Sequence, residues 1–499
     1  MKFLSKLLSR RVLFLFQMIV TIIFGYAIYK LNMIPMKFFI PLIVILLIVF
    51  ILLYKGQKSS DEHPVKPKIY KIVSLLLSIV IIFGSIKIMQ GSNMLDVITG
   101  ADTQVIEYSV VSMKESTYDS IADLENLKFG ACLASDPINT NKTKSLIEED
   151  IGTISLDDYS TTNDASKALY NQEIDAMILK EIDRDALNDT ISDFDDKTKV
   201  IETYKLRIPS AKANKAKVTQ EPFNIFIGGT DQKGDISTAG LSDVNMIATV
   251  NPVTKQLYLT SVPRDYYVDI DGYNGKDKLT HSARSSEGIN CTMKTIENFM
   301  GIKFNYYVKL NFTSFMNIID AIGGVDIDIP EYKTKNGDGT FTTKIYKYNM
   351  KPGKTHMDAK HALAYVRERK SFIDGDRIRG QNQQIMIKAI VKKICTPAIV
   401  TKLDGIFESV ADSLETNMSS EEVRSLINME MDDLAPWDVL SYHLNGNDQK
   451  VMDFATIAGP CPNPNGLYVM IPDETTIVKA KGYIDTIMSG ELLKIEDDE

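Results

Sequence analysis

The chain has 499 residues, enough for two or three domains, and a formal net charge of −9. Its four cysteines form no C-x-x-C pair and its five histidines form no H-E-x-x-H motif, which argues against a zinc site and a metalloprotease. No G-x-S-x-G or Walker A pattern is present, so the commonest hydrolase and nucleotide-binding signatures are missing as well.

Three apolar segments, Val12–Tyr29, Phe38–Tyr54 and Ile72–Met89, occupy the first ninety residues. Each has about 17–18 residues, which is long enough to cross a bilayer as a helix. No cleavage site for a signal peptide follows the first segment, and two further apolar segments come after it. We therefore predict three transmembrane helices within residues 1–90.

Charge predicts the orientation of these helices. Residues 1–71 carry 11 Lys and Arg against 2 Asp and Glu, a net of +9, which leaves −18 for the rest of the chain. The positive-inside rule places the N-terminus and the loop after the second helix in the cytoplasm. We expect a multi-pass protein of the cell membrane whose later domains are extracellular. An acidic external region argues against nucleic acid as a partner.

The region after the membrane segments begins with a predicted polar linker at 91–103. Residues 104–209 then form a small α/β domain, with strands predicted at Val105–Val111 and Ile174–Leu179. The segment Ala168-Leu-Tyr-Asn-Gln-Glu-Ile-Asp-Ala-Met-Ile resembles the helix–strand step in one lobe of periplasmic-binding-like domains. It carries no recognisable chemistry, which indicates an accessory or docking module. A second linker is predicted at 210–221, because the segment is basic, small and polar.

Three short strands open the last domain, predicted at 222–485. A hairpin makes the second and third strands antiparallel, and an antiparallel first strand would bring Asp231, Asp243 and Arg264 to one sheet edge. Two carboxylates beside an arginine suit a divalent cation that bridges phosphate oxygens. Ordinary turn aspartates beside a strand-end arginine are the alternative. The predicted strands are Phe223–Gly228, Val244–Val250 and Leu257–Val262.

An arginine cluster lies further along this domain. The chain has 45 lysines and 11 arginines, yet four of the arginines fall within thirteen residues: Arg367, Arg369, Arg377 and Arg379. Planar, permanently charged guanidinium groups favour bidentate binding of phosphate. The alternative is a surface network of ion pairs with three neighbouring acids, Glu368, Asp374 and Asp376.

A helix is predicted from Arg379 to Ile394, and Arg379 and Gln383 share one face of it. That face would lie in the first turn of the helix, where free N–H groups favour an anion. The position of Arg379 therefore favours the phosphate interpretation of the cluster.

Several segments of the last domain occur together in a characteristic order: Gly229-Thr-Asp, Ser242-Asp-Val-Asn-Met-Ile-Ala-Thr-Val-Asn-Pro, Ser261-Val-Pro-Arg-Asp, Asn311-Phe-Thr-Ser-Phe, Ile322-Gly-Gly-Val, Ala362-Leu-Ala-Tyr-Val-Arg-Glu-Arg and Gly375-Asp-Arg-Ile-Arg-Gly-Gln-Asn-Gln-Gln. In order and spacing they resemble the LytR-CpsA-Psr (LCP) family of bacterial cell-envelope proteins, over roughly residues 222–480. The three predicted helices and the accessory domain resemble the capsule-associated branch of that family.

The resemblance implies an α/β/α sandwich with a central mixed sheet and an apolar cavity for a lipid chain. It also implies transfer of a glycopolymer, capsular or teichoic-acid-like, from polyprenyl pyrophosphate to a peptidoglycan acceptor. By motif, two aspartates would hold Mg²⁺ and a set of polar residues would bind or support the pyrophosphate. The metal ligands would be Asp231 and Asp243; the catalytic group would be Arg264, Arg367, Arg369, Asp376, Arg379 and Gln383; Lys278 and Arg377 would contact the substrate.

Two positions depart from the family pattern. Leu241 stands where the family usually has an arginine, and Gln381 stands where relatives often have a basic residue. Both changes reduce positive charge near the predicted site. Lys233 or Arg377 could replace the missing arginine.

The sequence favours a membrane-anchored phosphotransferase over two rivals. One rival is a pyrophosphatase that would use the same residues with water as the nucleophile. The other is a non-catalytic, lipid-binding regulator or scaffold, although the predicted cytoplasmic segments are too short for a DNA-binding domain. The sequence identifies no base that would activate the acceptor.

Overall fold

A computed structural model gives the fold of the chain. It describes residues 9–58, 65–191, 193–230, 236–238, 240–335, 337, 339–396, 402–411, 413–454 and 466–495. The chain divides into two compact units, and each is considered by itself. The first contains residues 1–99, 392–411 and 419–436, and the second contains 100–391, 412–418 and 437–499.

Three long helices dominate the first unit: α1 (Arg10–Leu31), α2 (Met36–Gly56) and α3 (Lys66–Ile98). All three are long and apolar enough to cross a membrane, as the sequence predicts. The Ser9 hydroxyl accepts a hydrogen bond from the N–H of Val12 at the start of α1, and Asn32 ends that helix in a left-handed conformation. Two shorter helices complete the unit, α12 (Leu403–Val410) and α13 (Ser420–Asp433).

Helix α3 extends to Ile98, so the prediction of a polar linker from residue 91 is wrong for 91–98. The side chains of Leu95 and Ile98 are buried there, and their burial stabilises the helical conformation of this segment. Arg424 of α13 also donates hydrogen bonds to the Ser92 hydroxyl at 2.9 Å and to the Asp96 carboxylate at 3.0 Å. Polar residues at this end of α3 therefore bind a helix instead of forming a loop.

The accessory domain of the second unit is a five-stranded sheet in the order β3-β2-β4-β1-β5. Strands β1 and β4 contain most of the two segments predicted from sequence, and a core of apolar side chains around Phe129 and Tyr108 fills the domain. The strands are β1 (Thr103–Met113), β2 (Lys128–Ala131), β3 (Ser155–Asp158), β4 (Ala176–Lys180) and β5 (Thr198–Pro209); the helices are α4 (Pro137–Ile151), α5 (Thr162–Tyr170), α6 (Arg184–Thr190) and α7 (Phe194–Lys197).

The C-terminal domain is built on a six-stranded sheet in the order β16-β11-β6-β7-β8-β17. Strand β11 pairs parallel to β6 and β17 pairs parallel to β8, whereas the three central strands are antiparallel. The predicted mixed sheet is therefore confirmed. The strands are β6 (Phe223–Thr230), β7 (Val244–Asn251), β8 (Gln256–Val262), β11 (Tyr306–Asn311), β16 (Leu414–Thr416) and β17 (Asp438–His443).

Helices and small hairpins surround this sheet. One core joins apolar side chains of the sheet, such as Phe226 and Tyr258, to the buried faces of α8 and α14. The helices are α8 (Ile289–Met300), α9 (Phe312–Ile322), α10 (Ala359–Arg367), α11 (Gly375–Ile394) and α14 (Glu474–Met488). The paired short strands are β9 (Tyr267–Asp269) with β10 (Lys276–Lys278), β12 (Val325–Ile329) with β15 (Gly353–Met357), β13 (Phe341–Thr342) with β14 (Asn349–Met350), and β18 (Gly446–Val451) with β19 (Leu467–Pro472).

A buried ion pair connects the accessory domain to the C-terminal domain. The Lys180 ammonium lies 2.6 Å from the Asp136 carboxylate, and both side chains are almost fully buried. The same ammonium donates to the backbone carbonyl of Arg284 at 2.7 Å. Because the 3₁₀ turn that ends at Arg284 begins directly after Lys278, the accessory domain supports the segment that carries this site residue.

Candidate functional site

The candidate site begins at one edge of the six-stranded sheet. Gly229 of β6 pairs with Val244, and Asn245 of β7 pairs with Val262, so the end of β6, the start of β7 and the end of β8 meet there. The N–H of Asp243 donates to the carbonyl of Gly229 at 2.9 Å. The predicted convergence of these strand ends is confirmed. Asp231 lies outside the described residues.

Arg264 links two carboxylates at this edge. One guanidinium nitrogen donates a hydrogen bond to Asp243, and another lies 3.6 Å from Asp265. Both Arg264 and Asp243 retain about a fifth of their side-chain exposure, at 22% and 19%. The pair is therefore held in place by the fold and still open to a ligand on one side.

Asp265 is the buried anion of the site. Burial by itself would raise the pKa of this carboxyl, but the neighbouring Lys278 and Arg264 outweigh burial and hold the pKa below its ordinary value. Arg379 acts in the same direction on this pKa. The Asp265 carboxylate is therefore ionised at neutral pH, and it gathers three cationic side chains around itself.

A cavity of about 520 Å³ opens beside this group of charges. Its wall combines residues from the end of β8, the segment around Arg369, and the β18–β19 hairpin. Such an excess of cations suits an anion with several oxygen atoms, such as a pyrophosphate. The cationic residues on the wall are Arg264, Lys278, Lys335, Arg369, Lys370 and Arg377.

The side chains of residues 367–369 (Arg-Glu-Arg) alternate between exposed and buried positions. Arg367 and Arg369 are exposed, whereas Glu368 keeps only 2% of its exposure. The Glu368 carboxylate accepts hydrogen bonds from the backbone N–H of Lys344 at 2.6 Å and of Ser371 at 3.0 Å. These hydrogen bonds give Glu368 a structural role. Of the ion pairs considered from the sequence, the structure shows Arg377 at 4.0 Å from Asp374.

The predicted arginines do not all reach the cavity. Arg369 and Arg377 lie on its wall, whereas the Arg367 guanidinium stacks on the Phe312 ring at 4.0 Å from the ring centroid. Arg377 donates to the carbonyl of Gly446 at 2.6 Å and lies 3.3 Å from the Asp448 carboxylate. This arginine is therefore held by the β18–β19 hairpin.

Helix α11 begins at Gly375, four residues before the predicted start. Arg379 is therefore in the second turn, and the prediction that places Arg379 and Gln383 at the first turn is wrong. The N–H groups of Arg377 and Ile378 already donate to the carbonyl of Asp374, at 2.9 and 3.3 Å. Gln383 makes a long contact of 3.5 Å with the carbonyl of Val366. The side chain of Asp376 lies outside the described part of the chain.

The cavity wall also contains residues that were not predicted as part of the site, and five of them besides Asp374 are polar. Asp265 directly follows Arg264 in the Ser-Val-Pro-Arg-Asp motif, and Lys370 directly follows Arg369, so motif neighbours were the available signal for both. The remaining three come from distant segments, and no local pattern indicates them. They are Lys335, Asp448 and Tyr468, whose ring centroid lies 5.7 Å from the Lys278 ammonium.

Leu241, which stands at the position of the usual family arginine, lines a second, narrower crevice. Lys309 lies in the same crevice, where its ammonium donates to the carbonyl of Thr238 at 2.7 Å. Arg377, one of the two suggested replacements, lines the larger cavity instead. Lys233, the other, lies outside the described residues. Among the described residues, Lys309 is the cationic residue that lines this crevice together with Leu241.

A divalent cation is compatible with the described part of this edge. Mg²⁺ typically binds one or two carboxylates together with phosphate oxygens and water, so it needs no complete protein cage. Asp243 offers a partly exposed carboxylate at the sheet edge. Among the described residues no cluster of three or more His, Cys, Asp or Glu side chains could hold a metal by itself. The described part of the edge therefore offers one carboxylate to such a metal, that of Asp243, which Arg264 also binds.

Comparison with known families decides the assignment of this domain. The family model described as LytR_cpsA_psr matches residues 188–483, more than half of the chain. The chain belongs to the LytR-CpsA-Psr family. The match begins inside the segment predicted as the accessory domain and ends within α14.

Curated members of the LCP family with similar sequences carry transferase names. The chain is 32% identical over 225 residues to the polyisoprenyl-teichoic acid–peptidoglycan teichoic acid transferase TagU of Enterococcus faecalis, covering 45% of this chain and 71% of that protein. It is 29% identical over 278 residues to TagU of Bacillus subtilis, covering 56% of this chain and 80% of the relative.

Solved structures of LCP proteins also match more than half of the chain. The crystal structure of B. subtilis TagV has 27% sequence identity and a TM-score of 0.44, and covers 54% of this chain and 98% of that chain. The structure of TagT bound to LIIa-WTA has 26% identity and a TM-score of 0.43, and covers 56% and 96% of the two chains.

Proposed function

We propose that this LCP protein is a membrane-anchored phosphotransferase that moves a glycopolymer from polyprenyl pyrophosphate to peptidoglycan. The observation that carries the proposal is the cavity with six cationic side chains beside the Arg264–Asp243 pair. Membership of the LCP family and similarity to teichoic acid transferases support the same reaction class. The three apolar N-terminal helices support a membrane anchor. The excess of Lys and Arg in residues 1–71 supports an orientation with the later domains outside the cell.

The reaction joins a peptidoglycan hydroxyl to the sugar-side phosphorus of the donor. The hydroxyl oxygen forms a new bond to phosphorus and releases its proton to solvent water, while the bond from phosphorus to the bridging oxygen breaks. Polyprenyl phosphate leaves with that oxygen, so the glycopolymer remains attached to peptidoglycan through one phosphodiester. The reaction needs no covalent intermediate between the protein and the phosphoryl group, because positioning and charge stabilisation account for most catalysis in phosphoryl transfer.

The side chains of the cavity stabilise the charge that develops on the pyrophosphate. Arg264 and Arg369 face the cavity from two different segments, and Lys278 faces it from a third. Asp265 fixes two of these cations before a ligand arrives, so little reorganisation is needed during the reaction. Asp243 and Asp231 would hold Mg²⁺, which would neutralise further charge on the phosphate oxygens when bound.

Loss of Arg264 tests the proposal directly. Full-length Arg264→Gln in detergent, given a polyprenyl-pyrophosphate glycan and peptidoglycan, should transfer glycan about 10²–10³ times more slowly than wild type. Arg207→Gln is the matched control, because Arg207 is an exposed arginine of the accessory domain. Equal transfer by both variants would contradict the mechanism. Release of free glycan phosphate whether or not peptidoglycan is present would instead identify a pyrophosphatase.

A further inference from the structure

A group of exposed lysines extends from the cavity along the β13–β14 hairpin. Residues 331–370 contain ten Lys and Arg against four Asp and Glu, a net of +6 in a chain of net −9. Glu368 is one of these acids, and its carboxylate is buried against backbone N–H groups. We name the following exposed lysines the lysine surface: Lys333, Lys335, Lys344, Lys347, Lys351 and Lys370.

The lysine surface is continuous with the cavity. Lys335 and Lys370 line the cavity wall, and the N–H of Lys335 donates to the carbonyl of Ser371 at 3.0 Å. The Ser371 hydroxyl in turn donates to the carbonyl of Thr342 in the hairpin at 3.1 Å. Within the described residues, none of the six lysines forms an ion pair within 4.0 Å. Their charges are therefore available to a ligand that leaves the cavity on this side.

The hairpin is fixed in place by more than its strand pairing. Phe341 of β13 packs on Phe372 with ring centroids 4.8 Å apart, and Tyr332 packs on Phe372 at 4.9 Å. Glu368 adds its hydrogen bond from the N–H of Lys344. A rigid support of this kind lowers the entropy that is lost when the surface binds a chain.

The tip of the hairpin presents aromatic rings beside the lysines. Tyr346 and Lys347 have φ of 59° and 56°, a left-handed conformation that residues with a Cβ rarely adopt. Tyr346 remains 47% exposed, and its ring centroid lies 5.7 Å from that of Tyr348. Tyr348 stacks on His361 at 3.8 Å. Exposed, pre-positioned tyrosine rings combine an apolar face with a polar tip, which suits a sugar ring.

We propose that the lysine surface is a binding site, extending outside the cavity, for the phosphate-bearing repeats of the donor's glycan chain. The proposal rests on the proposed function, because it extends the path of a donor whose pyrophosphate occupies the cavity. A donor chain is covalently joined to that pyrophosphate, and Lys335 and Lys370 on the cavity wall lie on the side that continues into the lysine surface. Exposed lysines match repeated phosphates by charge, and binding of this kind depends on salt concentration.

Binding to short polymer fragments tests this assignment on the full-length protein in detergent. The probe is a fluorescent glycerol-phosphate oligomer, and an uncharged oligosaccharide of equal length is the comparison ligand. Wild type should bind the oligomer, prefer it to the uncharged ligand, and lose affinity as NaCl rises from about 50 to about 300 mM. Equal affinity for both ligands would overturn the proposal.

A matched pair of triple variants locates the binding surface. Lys344→Gln/Lys347→Gln/Lys351→Gln should weaken oligomer binding about ten-fold, whereas Lys114→Gln/Lys128→Gln/Lys212→Gln should not change it. All six positions are exposed lysines, so the two variants lose the same charge. Equal oligomer affinity in the two variants, or loss of binding to muropeptide fragments instead, would show that the surface does not hold the donor chain.

The binding result is separable from the proposed reaction. If wild type binds the oligomer through these lysines and yet transfers no glycan, the proposed function is wrong. The assignment of an anionic ligand to the lysine surface is then still supported. If transfer occurs and the hairpin variant lowers kcat/KM equally for phosphate-bearing and uncharged donors, the reaction stands and the assignment of an anionic donor is wrong.

Discussion

The Lys278 ammonium lies 2.9 Å from the Asp265 carboxylate, and both side chains are largely buried, at 15% and 9% exposure. Asp265 therefore has two roles. It lines the cavity, and it orients the cations that a phosphate ligand would contact. Removing one partner of such a pair leaves a buried charge without compensation, and this has a measurable cost.

Lys278→Met should destabilise the protein by about 3 kcal/mol, because the Asp265 carboxylate then remains buried with one cation fewer. Urea unfolding followed by the fluorescence of Trp437, the single tryptophan of the chain, measures this cost. Lys276→Met is the matched control, since Lys276 is an exposed lysine of the same short strand. Equal stability of the two variants would show that the ion pair contributes nothing.

Arg369→Gln should impair glycan transfer more than Arg367→Gln, although the sequence motif treats both alike. Arg369 lines the cavity, whereas Arg367 is stacked on Phe312. The expected loss is about 10²-fold in kcat/KM for Arg369→Gln. For Arg367→Gln it is a loss of about 0.5–1 kcal/mol in stability from the stacking contact. A larger kinetic effect at Arg367 would mean that its side chain leaves Phe312 when the donor binds.

Gly380→Ala should displace helix α11. A Cβ at Gly380 would lie 2.8 Å from Cε1 of His443 and 3.1 Å from Oγ of Ser261, so the helix or the imidazole must move. We expect a loss of about 1–3 kcal/mol in stability, together with slower transfer, because Arg377 and Arg379 move with the helix. Gly482→Ala in α14 is the control. A Cβ added at Gly482 would meet no heavy atom within 4 Å beyond its chain neighbours and its own helix backbone. The alanine should therefore stabilise its helix slightly.

His443 should make stability depend on pH. Burial, and then the charge of Arg377, lower the pKa of its imidazole to about 4. The unfolded chain, with a histidine pKa of about 6.5, binds the proton first, so stability falls as pH decreases from about 6.5 to about 4. This contribution amounts to about 3 kcal/mol.

The variant His443→Gln should remove that contribution, and His356→Gln, at an exposed histidine, should retain it. The measurement is the difference in free energy of unfolding between each variant and wild type, at a pH of about 6.5 and at a pH of about 4. A pH dependence that is the same in wild type and His443→Gln would contradict the assignment.

The sheet edge was predictable because strand pairing follows local rules. Turn residues after β7 indicate a hairpin, and the apolar runs on both sides set its register, which brings Asp243 beside Arg264. The three apolar N-terminal segments were predictable for the same reason, since length and composition alone identify them.

Contacts between distant segments were not predictable. Asp448 and Tyr468 reach the cavity from the β18–β19 hairpin, about two hundred residues after Arg264, and no local pattern places them there. The start of α11 was misplaced because Gly375 is a weak helix former, and its helical state depends on tertiary packing. The inward direction of Glu368 likewise depends on the N–H of Lys344, which belongs to the β13–β14 hairpin.

The Glu368 contact has a consequence for how this domain can diversify. Its carboxylate binds main-chain N–H groups of Lys344 and Ser371, which every amino acid except proline possesses. Lys344 can therefore be exchanged for any residue except proline without loss of this contact. A library randomised at Lys344, Tyr346 and Lys347 keeps the reaction centre intact while the preference for the polymer is selected anew.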